Sequence, residues 1–153
     1  MDRSSHLRKL WKKFWDALND RYARVARRIE VGNEDYVYRR VHPDQIENGA
    51  FSSAAFNDPE MSVDIASLTS EQKSYQRSHS ERYGLVKIRV QDLRQLSIPQ
   101  QVNHWPAILN YAHGLVIGKK TQSIRKRIKE KAEWVIKPGS DDKTSTAAPT
   151  AGV

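Results

Sequence analysis

The amino-acid sequence predicts an α+β fold: a small mixed or antiparallel sheet with a long basic amphipathic N-terminal helix and a basic C-terminal helix. Three observations carry that reading. Leu7, Leu10, Trp11, Phe14, Trp15, Leu18, Tyr22, Val25 and Ile29 recur at spacings of three and four, the period of a helix. Short runs with strand alternation lie between that stripe and a second basic helical pattern near the C-terminal end. The order helix, strand, loop, strand, helix, two strands, helix belongs to an α+β arrangement. A chain of 153 residues, 38% hydrophobic and 29% charged, is long and apolar enough for one domain with a real core.

The first helix can be capped by Ser4 or Ser5 and stopped by Gly32. Arg8, Lys9, Lys12, Lys13, Arg21, Arg24, Arg27 and Arg28 fall mostly off its apolar stripe. Tyr36–Val41 alternates Tyr36/Tyr38/Arg40 with Val37/Arg39/Val41, which reads as a strand ended by Pro43. Residues 44–57 read as a loop with two aromatic plugs, Phe51 and Phe56, and Met61, Val63 and Ile65 as a short strand. The run "TSEQ" at 69–72 matches a capping box and predicts a polar helix to about Arg82, broken by Gly84. "LVKIRV" at 85–90 is a strand by its β-branched alternation, and "QDLRQL" one or two helical turns. "SIPQQVNHWP" reads as loop, Ala112–Gly118 as a buried strand, and Thr121–Ile136 as a helix with Ile124, Ile128, Ala132 and Val135 on one face. Residues from Pro138 onward offer nothing to a core, and a disordered tail is expected. The division is therefore a helix over 1–32, a core over 33–137 and a tail over 138–153.

The chain contains no cysteine, which excludes disulfides, thiolate zinc sites and cysteine nucleophiles and suits a reducing, cytoplasmic setting. No apolar run approaches the roughly 18 residues of a membrane span. Net charge is +8, unevenly placed: +5 over residues 1–30, −2 over 31–118 and +6 over 119–137. Two basic segments flanking a near-neutral middle point to a polyanionic partner. Lys119, Lys120, Arg125, Lys126, Arg127 and Lys129, together with Lys12, Lys13, Arg24 and Arg28, are the candidate polyanion-binding residues. They are equally a solvated face. Trp11, Phe14 and Trp15 either pack on the sheet or dock on a protein partner or an anionic membrane surface. The five histidines show no metal-ligand spacing, and no metal or cofactor is expected.

The last candidate is the stretch "YRRVHPDQIENGAFSSAAF", residues 38–56, with catalytic candidates Arg39, Arg40, His42, Ser52 and Ser53. Arg39 and Arg40 must point to opposite faces of a strand, so one faces inward and needs an anion such as Asp64, Glu60 or a ligand phosphate. An arginine strand followed by an aromatic–serine–serine run resembles the start of the ADP-ribosyltransferase pattern. The resemblance implies that Arg39 or Arg40 and Ser52 or Ser53 would hold a nicotinamide dinucleotide. The Glu-x-Glu or Gln-x-Glu element of that pattern is missing here. "YRRVHP", "SSAAF", "MSVD" and "NYAHGLVIGKK" together resemble a group of short bacterial proteins of unassigned activity, which implies one folding unit over residues 36–136. The leading functional expectation is a non-enzymatic nucleic-acid- or polyanion-binding accessory module. The alternatives are a small ADP-ribosyltransferase-like or nuclease-like enzyme and a docking protein that uses its first helix.

Overall fold

Val37 and Val41 project to one side of strand β1 (Tyr36–Val41) and are fully buried, while Tyr36, Tyr38 and Arg40 project to the other. That alternation fixes β1 near the middle of a sheet with two faces. In the computed structural model, which describes residues 3–139, six strands run in the order β6-β7-β4-β1-β5-β8. They are β4 (Glu60–Ile65), β5 (Gly84–Arg89), β6 (Gln101–His104), β7 (His113–Ile117) and β8 (Glu133–Ile136), with β1. Every neighbouring pair is antiparallel. β1 pairs along its whole length with β5, from Tyr36 opposite Arg89 to Val41 opposite Gly84.

The first face of the sheet carries Val37, Val41, Met61, Val63, Ile65, Val86, Ile88, Val102 and Val116. It is covered by α3 (Val90–Arg94), by a 3-10 turn over Ser53–Phe56 and by α4 (Gln122–Lys131). Thr121 caps α4, its hydroxyl accepting from the Ile124 amide, and Ile124 and Ile128 insert beside Ala55 and Phe56. Burying each isoleucine stabilises the domain by about 1.5–3 kcal/mol. The second face is covered only in part, by the short helix α2 (Glu71–Gln76).

Five elements differ from the sequence reading. The first helix ends at Val25 rather than running to Gly32, because Ile29 leaves the apolar stripe to pack against the core and its amide bonds His104. Residues 44–57 contain a hairpin, β2 (Ile46–Glu47) and β3 (Ala50–Phe51), turned by Asn48 and Gly49 at φ values of 52° and 76°. Two adjacent positive φ angles are the signature of a type I′ turn, for which Asn-Gly is the favoured pair. The polar helix begins after Ser70, which caps it by accepting from Lys73, and ends at Gln76. "QVNH" is the edge strand β6, its strand signal reduced to the inward pair Val102 and His104. The basic helix ends at Lys131, and Trp134 of the following β8 packs edge-on against Phe51 at 4.8 Å. Pairing with Leu85–Lys87 outcompetes further helix for these aromatic and β-branched residues. The tail beyond Gly139 lies outside the described residues.

Candidate functional site

Helix α1 (Arg3–Val25) contributes little to this core. At about 100° per residue, Leu10, Phe14, Leu7, Leu18, Trp11 and Trp15 occupy one arc of roughly 140°. The side that meets the domain is different: Asn19 accepts from the Ile108 amide at 2.9 Å, and Ala23 is fully buried. That contact lies about a third of a turn away from the centre of the apolar arc. The stripe is thereby turned sideways into solvent, with Leu7 65%, Trp11 62% and Phe14 55% exposed. Trp11 stacks on Phe14 at 5.7 Å and meets Trp15 edge-on at 6.4 Å, so the aromatic groups form one patch.

Charge frames this patch. Arg8 and Lys12 lie along one edge of the arc, and Lys13 and Arg24 along the other. Within 3–25 seven Lys/Arg stand against two acids. Asp16 is bound by Lys12 at 2.6 Å and Asp20 by Arg24 at 3.0 Å, both at i,i+4 spacing.

The base of α1 is held to the domain by a short series of hydrogen bonds. The Ile29 amide donates to His104 Nδ1 at 2.9 Å, and His104 Nε2 donates to the Tyr111 carbonyl at 2.6 Å. One ring nitrogen accepts and the other donates, so a neutral imidazole bridges the two segments. The Tyr111 hydroxyl donates to the Arg27 carbonyl at 2.7 Å, and the Arg28 guanidinium sits 5.2 Å over the Trp105 ring. His104 carried no signal in the sequence beyond its alternation with Val102. It ties the projecting helix to the sheet.

Arg39 and Arg40 do point to opposite faces. Arg39, on the core side, donates to the carbonyls of Ala55 (3.2 Å) and Ser62 (2.9 Å) and pairs with Asp58 at 3.2 Å. Burial, with the Arg40 charge adding, lowers its pKa from the usual arginine value, and Asp58 opposes the shift. Arg40 reaches Asp64 at 2.7 Å on the second face. Asp64 is wholly buried and also accepts from Ser74 Oγ at 2.5 Å and Asn110 Nδ2 at 2.7 Å, with Arg77 3.5 Å away. Burial alone would raise the Asp64 carboxyl. The Ser74 hydrogen bond, the Arg40 charge and the Asn110 bond outweigh it and hold the group below the ordinary aspartate value. His42 accepts from the Asp44 amide as the cap of the turn Pro43–Gln45, with its ring against Tyr83 at 5.1 Å. Ser52 is the N-cap of the Ser53–Phe56 turn without a side-chain capping bond. Arg39, on the Ala55 and Ser62 carbonyls and Asp58, and Arg40, on Asp64, thus belong to separate surroundings, and neither bonds the Ser52 or Ser53 side chain. Two open depressions, of about 510 and 330 Å³, are lined by Pro43, Ile46, Glu81 and Arg82 and by Gln72, Tyr75 and His79 among others, not by these arginines. Among the described residues, no three His, Asp or Glu side chains gather as a metal ion would require.

The basic C-terminal segment divides into committed and displayed cations. Lys120 is buried and donates to the carbonyls of Val116, Pro59 and Gly118 at 2.9, 3.1 and 3.3 Å. Burial pushes its pKa down to about 8, the Arg39 charge adding and Asp58 opposing. Arg125 donates to Asn57, and Arg127 to Glu130. Lys119, Lys126 and Lys129 are exposed. No protein-family model, no curated protein and no solved structure matches the chain.

Proposed function

We propose that this protein is a non-enzymatic docking module that lays α1 along an anionic membrane surface and holds the sheet domain beside it. The observation that supports this reading most is the aromatic stripe. Trp11, Phe14, Leu7 and Leu10 are half or more exposed on a helix whose contact with its own domain lies elsewhere. Tryptophan, phenylalanine and leucine on one face with lysine and arginine on the other is the composition of a helix lying in the headgroup plane. No described helix is long and apolar enough to cross a membrane. Cations along both edges of the arc fit a flat anionic surface, whereas a protein groove would close over those edges. Self-pairing would bring two sets of seven cations together against four acids. A nucleic acid would engage the cations and leave the stripe in water.

Each Lys or Arg near an anionic leaflet contributes about 1 kcal/mol, and each inserted large apolar side chain about 1.5–3 kcal/mol. Co-sedimentation with phosphatidylcholine vesicles, with and without phosphatidylglycerol, tests the reading. Binding is expected only with the anionic lipid. Trp11→Ala combined with Phe14→Ala is expected to weaken it by about a hundredfold or more, since roughly 1.4 kcal/mol is a factor of ten. Unchanged vesicle binding by that double variant would overturn the proposal. So would tight, steeply salt-dependent binding to DNA or RNA without vesicle binding, which would transfer function to Lys119, Lys126 and Lys129.

A further inference from the structure

A second exposed apolar group stands beside α1. In the loop between β6 and β7, Ala107 and Asn110 exchange two backbone hydrogen bonds, so Ile108 and Leu109 form the tip of a tight turn. Leu109 is 85% exposed, and Ile108 and Tyr111 are also open to solvent. Nothing in the packing of the core calls for a bare leucine there. The tip is also held in place from two sides. Asn110 donates to the buried Asp64, and the Ile108 amide donates to Asn19 of α1. Asn19 sits on the helix between the core-facing Ala23 and the apolar positions Leu18 and Tyr22. The Tyr111 hydroxyl reaches back to the Arg27 carbonyl, and the Arg28 guanidinium lies over Trp105 of the same loop. An apolar tip on a loop that also carries an aromatic hydroxyl and holds one exposed arginine has the mixed chemistry of the helix.

We infer that the Ile108–Leu109 turn is a second membrane-inserting element, a wedge that enters the same anionic leaflet as the apolar stripe of α1. This rests on the docking reading above and adds to it a fixed attitude of the domain. A helix alone permits rotation about its own axis. Two contacts joined through Asn19–Ile108 and Tyr111–Arg27 define a plane, and the sheet is carried at one orientation to the lipid. The partner chemistry is a headgroup layer of negative charge over hydrocarbon, with Arg27 and Arg28 at headgroup depth and Leu109 below them.

The cysteine-free sequence makes the test direct. Single cysteines replace Leu10, Leu109 or Lys126 in the full-length chain, each position being exposed, and each carries a nitroxide label. Power-saturation electron paramagnetic resonance with phosphatidylglycerol-containing vesicles then reads depth from oxygen against nickel-chelate accessibility. The labels at 10 and 109 are both expected to become oxygen-accessible and nickel-protected, while the label at 126 stays in water. A label at 109 that remains in water while that at 10 inserts would overturn the wedge and leave the helix reading standing. Insertion at neither position would remove both. Insertion at 109 alone would keep the wedge and discard α1 as the docking element. An independent arm uses Leu109→Asp in the unlabelled chain, expected to weaken anionic-vesicle binding about tenfold or more with an unchanged circular dichroism spectrum. Unaltered binding by that variant would also count against the wedge.

Discussion

Lys120 has little exposed surface, yet its ammonium group is spent on three backbone carbonyls rather than on a partner molecule. Those carbonyls belong to Pro59, Val116 and Gly118, so the side chain pins the end of β7 to the segment leading into β4. Gly118 is held close to Gln100, whose amide would clash with any Cβ at that position, and its φ of 159° favours glycine. The sequence shows Lys120 as one more cation in a basic run, because charge counting cannot tell a displayed lysine from one turned inward. Its folded pKa of about 8 lies below the ordinary lysine value of 10.5. The folded state therefore binds fewer protons than the unfolded chain between those two values, and stability rises with pH across that window. The gain is complete above about 10.5 and lost as pH falls through about 8, with a span on the order of 3 kcal/mol at most. Lys120→Met removes this contribution. Urea melts at pH 7.5 and pH 10 are expected to show the wild-type protein gaining stability relative to the variant at the higher pH. Parallel shifts in the two proteins would refute the assignment.

Asp64 organises the second face at the level of whole elements. It joins β1 through Arg40, α2 through Ser74 and the β6–β7 loop through Asn110, all on one buried carboxylate of β4. Helix α2 has six residues and exposes most of them, so its position depends on these polar bonds more than on apolar burial. Removing one partner of a buried ion pair costs about 3–5 kcal/mol, because the other charge is left uncompensated. Asp64→Ala is expected to lower stability by an amount of that order in urea melts and to speed amide exchange in α2 and in residues 107–111 first. Uniform exchange acceleration across the sheet would contradict the latch. The sequence makes part of this arrangement legible: strand alternation sends Arg39 and Arg40 to opposite faces and calls for an anion, but Asp64 serves Arg40 on the second face, whereas the core-side Arg39 takes Asp58. The rest was hidden, since Ser74 and Asn110 come from elements 10 and 46 residues away. Periodicity exposed β1, β4, β5, β7 and α1, which are long or strongly patterned. It missed β6 and β8 because edge strands of four residues carry too few alternations to outweigh a proline-rich loop or an adjacent helix. The Asn48-Gly49 pair did carry a hairpin signal, but flanks of two residues each hid the strands.

For the whole molecule, the projecting helix stands largely apart from the core. The apolar stripe of α1 was visible in the sequence, but its direction was not. A long amphipathic helix beside a small sheet is ordinarily core, and only the Asn19–Ile108 and Ala23 contacts show the arc turned away. Ile29 and Val31, which follow the helix, belong to the core instead: Ile29 packs against it and is fixed by His104, and Val31 is buried within it. A chain beginning at Ala26 should therefore keep the sheet, α2 to α4 and the His104 bridge while losing the stripe. Its urea midpoint is expected to stay close to that of the full chain, with a cost of about 1–2 kcal/mol from the lost Asn19 hydrogen bond and Ala23 burial. Its helical circular dichroism should fall by the contribution of 23 residues. Anionic-vesicle binding should fall to whatever the Ile108–Leu109 turn supplies unaided, since a single small apolar contact with two arginines gives only marginal adhesion. A truncated chain that binds vesicles as tightly as the full one would reject α1 as the docking element. One that unfolds outright would show the helix to be part of the core after all, with its aromatic face serving the fold rather than a surface.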